Sequence, residues 1–166
     1  MENSKKFEFE NEPKAITYNE SNPLKLTNEF RFYHNKLKFR KNLNDLQYLF
    51  QEYLKFPLIA AGIRDTYVKV EYTENYLFMI LTTPEIIKDT NRIIKEFVEK
   101  DPGKDCYYIK CTEEWFLLFA KNLKAIRAGI ERSHKMLKQI LKSYFETQEY
   151  DEYIKIPAFL LYDCVE

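Results

Sequence analysis

Two stretches of this chain gather cations beside few acids, and their spacing is what could do chemistry. Arg31 to Lys41 carries Arg31, Lys36, Lys38, Arg40 and Lys41 with no acid, interleaved with Phe32, Tyr33, His34 and Phe39. Lys121 to Lys142 carries Lys121, Lys124, Arg127, Arg132, Lys135, Lys138 and Lys142 against one acid, Glu131. Ammonium and guanidinium groups in a row approach successive phosphates, and each contact releases counterions. Aromatic rings set between cations offer faces on which bases stack. The expected anion-contacting residues are therefore Arg31, Tyr33, Lys36, Lys38, Arg40 and Lys41 in the first stretch, and all seven cations of the second. Each stretch also has a plainer reading. The first fits an edge strand guarded by lysines, and the second fits the solvated face of an amphipathic helix.

Catalytic chemistry is poorly represented. His34 and His134 are the only histidines. No glycine-rich phosphate loop, nucleophile elbow or two-histidine metal spacing is written. Asp65, Glu71 and Glu74 are scattered carboxylates that surface solvation accounts for. Neither a catalytic residue, a metal nor a cofactor is expected. Cys106, Cys111 and Cys164 are odd in number and irregularly spaced, which reads as free buried thiols in a reducing compartment.

Composition sets the frame for these stretches. The 166 residues hold 45% apolar and 31% charged side chains, the balance of a folded chain and not of a disordered one. Twenty-six basic residues meet 26 acidic ones, so charge is local in sign and null in sum. Met1 to Glu12 is polar and acidic, unlike a secretory signal. The longest apolar run, Trp115 to Ala120, is too short to span a bilayer, so an intracellular protein without a membrane partner is expected.

The elements that must position the cations follow from periodicity. Residues 1–28 hold Pro13 and Pro23 and read as an extended or disordered arm; residues 29–166 read as a single α+β domain. Phe30 to Phe39 suggests a strand whose alternation slips at Asn35. Asn42 is placed to cap a helix over Leu43 to Leu54 that Pro57 ends. Thr66 to Tyr72 and Tyr76 to Leu81 predict a hairpin. Thr83 and Pro84 open a second helix, stopped by Asp101-Pro102-Gly103. Cys106 to Cys111 is a further strand. Thr112 is expected to cap a long helix over about 113–145, with Trp115 docking it on the sheet. At 100° per residue the seven cations of the second stretch fall in an arc of roughly 140°. Tyr153 to Leu161, broken by Pro157, reads as an edge strand or docked tail.

That order predicts the ferredoxin-like split βαβ arrangement: an antiparallel four-stranded sheet, two helices on one face, and a long C-terminal helix. The third strand, Asn75 to Ile80, lacks the basic and glycine positions of a typical RNA-recognition motif.

Three stretches resemble the small ferredoxin-like protein subunits of ribonuclease P and ribonuclease MRP. They are Tyr53 to Gly62, where a helix passes through Phe56-Pro57 into an Ala-containing link; Tyr76 to Pro84, an apolar strand running into a helix; and Lys104 to Thr112, a strand before a basic helix. The resemblance implies a non-catalytic subunit that braces a structured RNA and pairs with a sister protein subunit in tRNA or rRNA processing. It also implies a nuclear location. The competing expectation is a scaffold of a large assembly, with the arm and the apolar tail Ala158 to Tyr162 as protein-binding surfaces.

Overall fold

The computed structural model describes residues 6–53, 65–71, 73–146 and 153–165. Among them the elements run β1 (Ala15–Tyr18), β2 (Leu24–Leu26), β3 (Arg31–His34), a 3-10 turn (Leu37–Phe39), α1 (Arg40–Tyr53), β4 (Asp65–Tyr67), β5 (Leu77–Thr82), α2 (Pro84–Ile87), α3 (Thr90–Glu99), β6 (Cys106–Cys111), β7 (Phe116–Ala120), α4 (Leu123–Glu146), β8 (Ile154–Ile156) and β9 (Phe159–Cys164). Seven strands form one sheet in the order β1-β9-β6-β7-β5-β3-β4. Every pairing in it is antiparallel except β3 with β4, which are parallel. The short strands β2 and β8 pair apart from it.

Strands β5 and β7 are buried along their whole length, and apolar but for Thr82, because both faces of the sheet are covered. One face sends Phe32, Met79, Leu81, Ile109, Phe116 and Leu118 against Leu43, Leu46 and Phe50 of α1 and Ile126, Ile130 and Leu137 of α4. The other sends Tyr33, Phe78, Ile80, Leu117 and Phe119 against Ile87 of α2 and Ile93 and Phe97 of α3. Burying each such side chain contributes about 1.5–3 kcal/mol. On the first face α4 packs close against the sheet at Gly129, where an added Cβ would sit 2.3 Å from Leu118 Cδ1.

The fold is mixed α and β, but the four-stranded layout is replaced by a larger sheet with helices on both faces. β4 lies beside β3 and not β5, so the expected hairpin does not form. β7 is inserted between β5 and β6. That strand is the run Trp115 to Ala120, which the helical reading absorbed into the long helix. Thr112 caps a turn instead of a helix: its Oγ1 accepts Glu114 N at 3.2 Å and its N–H donates to Trp115 O at 2.9 Å. The helix begins later, where Asn122 Oδ1 accepts Ala125 N at 2.9 Å, as an N-cap does. Trp115 consequently packs in the core beneath α2 and α3, with the Arg92 guanidinium 5.1 Å from its ring centre.

Other expectations change for local reasons. The slip at Asn35 is the end of β3. The buried Asn35 amide takes over the pairing with the next strand, accepting Phe78 N at 2.9 Å and donating to Tyr76 O at 2.8 Å. Asn42 does not cap α1, which starts two residues earlier out of the 3-10 turn. Thr83 occupies the N-cap position of α2, with Pro84 next, but its hydroxyl makes no capping bond. The helix started there breaks at Lys88-Asp89 and resumes as α3. Pro57, most of Tyr53 to Gly62, Tyr72 and the acids over 147–152 lie outside the described residues.

Both the arm from Lys6 and the tail to Cys164 pack into the fold. The arm contributes β1, β2 and the buried ring of Phe7, which packs edge-on against Phe159 at 5.3 Å. The tail is an interior strand, β9, between β1 and β6, and Phe159 and Leu161 are fully buried. The inner face of the tail is thus core, while Leu160 and Tyr162 stay half-buried. The pairing of β6 with β9 sets Cys106 opposite Cys164, and these two form a disulfide across 58 residues of chain. The reading of three free thiols is corrected. Cys111 alone is a free thiol among the described residues, and burial pushes its pKa far up.

Candidate nucleic-acid interface

Helix α4 has four environments around its circumference. Ala125, Ile126, Ser133, Met136 and Leu137 face the sheet and are buried. One flank meets α1, where Arg127 Nε donates to Asn42 Oδ1 at 3.3 Å. The opposite flank carries the N-terminal arm. Gln139 Oε1 accepts Glu8 N at 2.9 Å and its Nε2 donates to Glu8 O at 2.7 Å. Arg132 Nη1 donates to Asn11 O at 2.7 Å, with the Phe9 ring 5.2 Å away. Between the flanks runs an exposed crest: Lys124, Arg127, Glu131, Lys135, Lys138 and Lys142. At 100° per residue these six fall within about 80°, and from Lys124 to Lys142 the helix rises about 27 Å.

The seven expected cations of this stretch therefore divide. Lys124, Arg127, Lys135, Lys138 and Lys142 stand on the crest. The ion pair formed among them is that of Lys135 with Glu131, at 4.0 Å. Arg132 is instead a structural clamp. Its Nη2 bonds Asp163 Oδ2 at 2.5 Å and its Nε bonds the Tyr107 hydroxyl at 3.2 Å. Lys121 lies before the helix and pairs with Asp101 at 3.1 Å. That cation and the Gly103 N–H hold the Asp101 carboxyl below the usual range. His134, on the flank toward α1, is pushed below the ordinary histidine value chiefly by burial, with Lys138 adding to it against Asp45 and Glu52.

The first stretch behaves differently. Tyr33 is 4% exposed in the core beneath α2 and α3, and Phe32 and Phe39 are fully buried, so none of these rings is open to a base. Arg31 begins β3 and is half-buried, as is Lys36 just before the 3-10 turn. Arg40 has an exposed side chain, yet its Nε meets Asp65 Oδ2 at 2.8 Å. Asp65 also accepts Gln47 Nε2 at 2.8 Å and contacts buried His34 Nε2 at 3.2 Å, while His34 Nδ1 lies 3.1 Å from Lys36 O. Burial alone would push the Asp65 carboxyl up; the bonds from Gln47 and His34 and the Arg40 charge outweigh it and hold the group below its usual value. Lys38 and Lys41 remain exposed, on the 3-10 turn and α1, both of which pack against α4.

The tertiary fold thus brings Lys38 and Lys41 to the side of the molecule that bears the crest, and takes Tyr33, Arg40, Lys121 and Arg132 out of it. Sequence reasoning missed Asn42 and Gln139, which anchor the two flanks. Local sequence carries no signal for either, since Gln139 meets Glu8 across 131 positions and Asn42 meets Arg127 across 85.

A cleft of about 500 Å³ runs between the arm and α4, lined among others by Glu8, Glu10, Arg132, Lys135, Lys138 and Lys142. A second, of about 620 Å³, opens near Asn35, Tyr67 and Glu71. Among the described residues no group of three or more His, Cys, Asp or Glu side chains could hold a metal ion, and no helix is long and apolar enough to cross a membrane. Compared with protein-family models, with curated proteins and with solved structures, the chain finds no match.

Proposed function

We propose that this protein is a non-catalytic RNA-binding subunit that holds phosphates on the crest of α4. The observation that carries the reading is the crest itself: five exposed cations within a narrow arc, one acid among them, on a chain whose net charge is zero. Exposed helices ordinarily mix signs to gain pairs three and four residues apart. Here a single weak pair of that kind is formed among the crest residues. Lys38 and Lys41 extend the positive surface beyond the helix. An assembly of the ribonuclease P and MRP kind, with a sister subunit, is the setting the sequence resemblance suggests; the sheet order adds nothing to it.

A salt titration of RNA binding tests the reading. Affinity should fall steeply with salt, with a log–log slope set by the number of phosphates engaged. Lys124, Arg127, Lys135 and Lys138 changed together to Glu should abolish binding while circular dichroism and Tm stay at wild-type values. No binding at low salt by the folded protein would overturn it. The scaffold reading draws on a different feature, the half-buried Tyr108, Leu160 and Tyr162 on β6 and β9. A stoichiometric protein partner and no RNA on co-purification would favour it.

A further inference from the structure

We infer that the RNA gripped by α4 is a duplex, held on both strands across a groove; this rests on the reading of the crest as an RNA contact. The crest cations are not evenly spaced. Lys124 and Arg127 form one group, and Lys135, Lys138 and Lys142 form another. Between them, within the same arc, stands Glu131, whose side chain is 75% exposed. From Arg127 to Lys135 the helix rises about 12 Å. A single strand laid along the rod would carry its phosphates over the Glu131 carboxylate, where like charges repel. A duplex crossed at a groove offers phosphates on two rims and none between. The axial interval of about 12 Å between the two groups is comparable with the wider groove of B-form DNA, with Lys135 Nζ reaching back to 4.0 Å from Glu131 Oε1, and A-form RNA presents a wide, shallow minor groove lined by 2′-hydroxyls.

Two further observations point the same way. Lys38 and Lys41 lie on elements packed against α4, and Arg127 bonds Asn42, the neighbour of Lys41. That bond sets the start of α1, and with it Lys41, beside the first group. The crest also holds no aromatic residue, and the rings of the Arg31 to Lys41 stretch are buried. On the α4 crest itself a splayed single strand would find no ring on which to stack its bases, the exposed ring of α1 being Tyr48, whereas a duplex has its bases already stacked.

The test is binding at low salt of a 16-base-pair RNA duplex, one of its strands alone, and a DNA duplex of the same sequence, probe lengths chosen as roughly the span of a double-stranded RNA-binding module. The RNA duplex should bind about tenfold or more tighter than the strand, a difference set by the extra phosphates engaged. Lys124→Glu with Arg127→Glu, and separately Lys135→Glu with Lys138→Glu, should each weaken duplex binding by a similar factor, since each removes one rim. Glu131→Gln should strengthen the strand more than the duplex. Equal binding of the DNA duplex supports the two-rim grip and assigns it to phosphate geometry common to both. A strand bound as tightly as the duplex, or Glu131→Gln strengthening both alike, overturns the inference and leaves RNA binding standing. Failure of all three probes, with Tm unchanged, overturns the RNA reading itself.

Discussion

The β3 stretch and helix α4 both gather cations beside few acids, yet they present them to solvent very differently. In β3 and the turn after it, rings and cations alternate along a chain whose sheet is covered on both faces. The rings go inward, one cation is consumed by Asp65, and only Lys38 and Lys41 stay open. In α4 a period of 3.6 gathers apolar residues on one side and leaves the cations together on the other. The difference teaches that a basic stretch with interleaved aromatics is a weak sign of base stacking unless one face of its element is free.

The contrast can be broken at either end. The largest effect is expected on the crest. Lys124, Arg127, Lys135 and Lys138 changed to Glu should lower RNA affinity roughly a thousandfold at low salt, read by fluorescence anisotropy, with Tm nearly unmoved. A large drop in Tm instead would show that the crest is structural. The β3 region should respond in the opposite manner. Asp65→Ala leaves buried His34 and Gln47 without their acceptor and should destabilise the fold by about 2–3 kcal/mol, with RNA affinity unchanged in the folded fraction.

The same carboxylate makes a pH prediction. Its folded pKa is below the unfolded value, so its contribution is complete above the unfolded value of about 3.9 and is lost as pH falls through the folded one. Urea titrations from pH 5 to pH 2 should show a shallower acid decline for Asp65→Asn than for wild type. An identical decline would rule out this carboxylate as a source of acid lability.

Smaller effects sharpen the comparison. Lys38→Glu with Lys41→Glu should weaken RNA binding about tenfold, because these two are the part of the first stretch that reaches the crest. Glu8→Gln with Glu10→Gln should raise affinity about twofold to threefold at low salt and not at high salt, since their charges share a cleft with three crest lysines. The least effect belongs to Tyr33→Phe, which should leave affinity unchanged and shift stability by less than about 1 kcal/mol. A marked loss of affinity there would reopen the stacking platform.

What the amino-acid order determined by itself is what short-range periodicity can encode. The β6 strand from Cys106 to Cys111 and the apolar run of β5 from Leu77 to Leu81 are legible directly, as is the core face of α1 through Leu43, Leu46 and Phe50. The one-sided distribution of cations on α4 is legible too, because it needs only the rise and twist of a helix. Tertiary structure decided the rest. Trp115 to Ala120 is an apolar run that suits a buried strand or a helix equally, and only its place between β5 and β6 makes it β7. Whether Arg132 faces an anion or Asp163, and whether Cys106 is a thiol or half of a disulfide with Cys164, depends on which distant strand arrives beside it. Those pairings join residues tens of positions apart. No local pattern records such a meeting, since it is fixed by how the apolar faces of all the strands and helices pack at once.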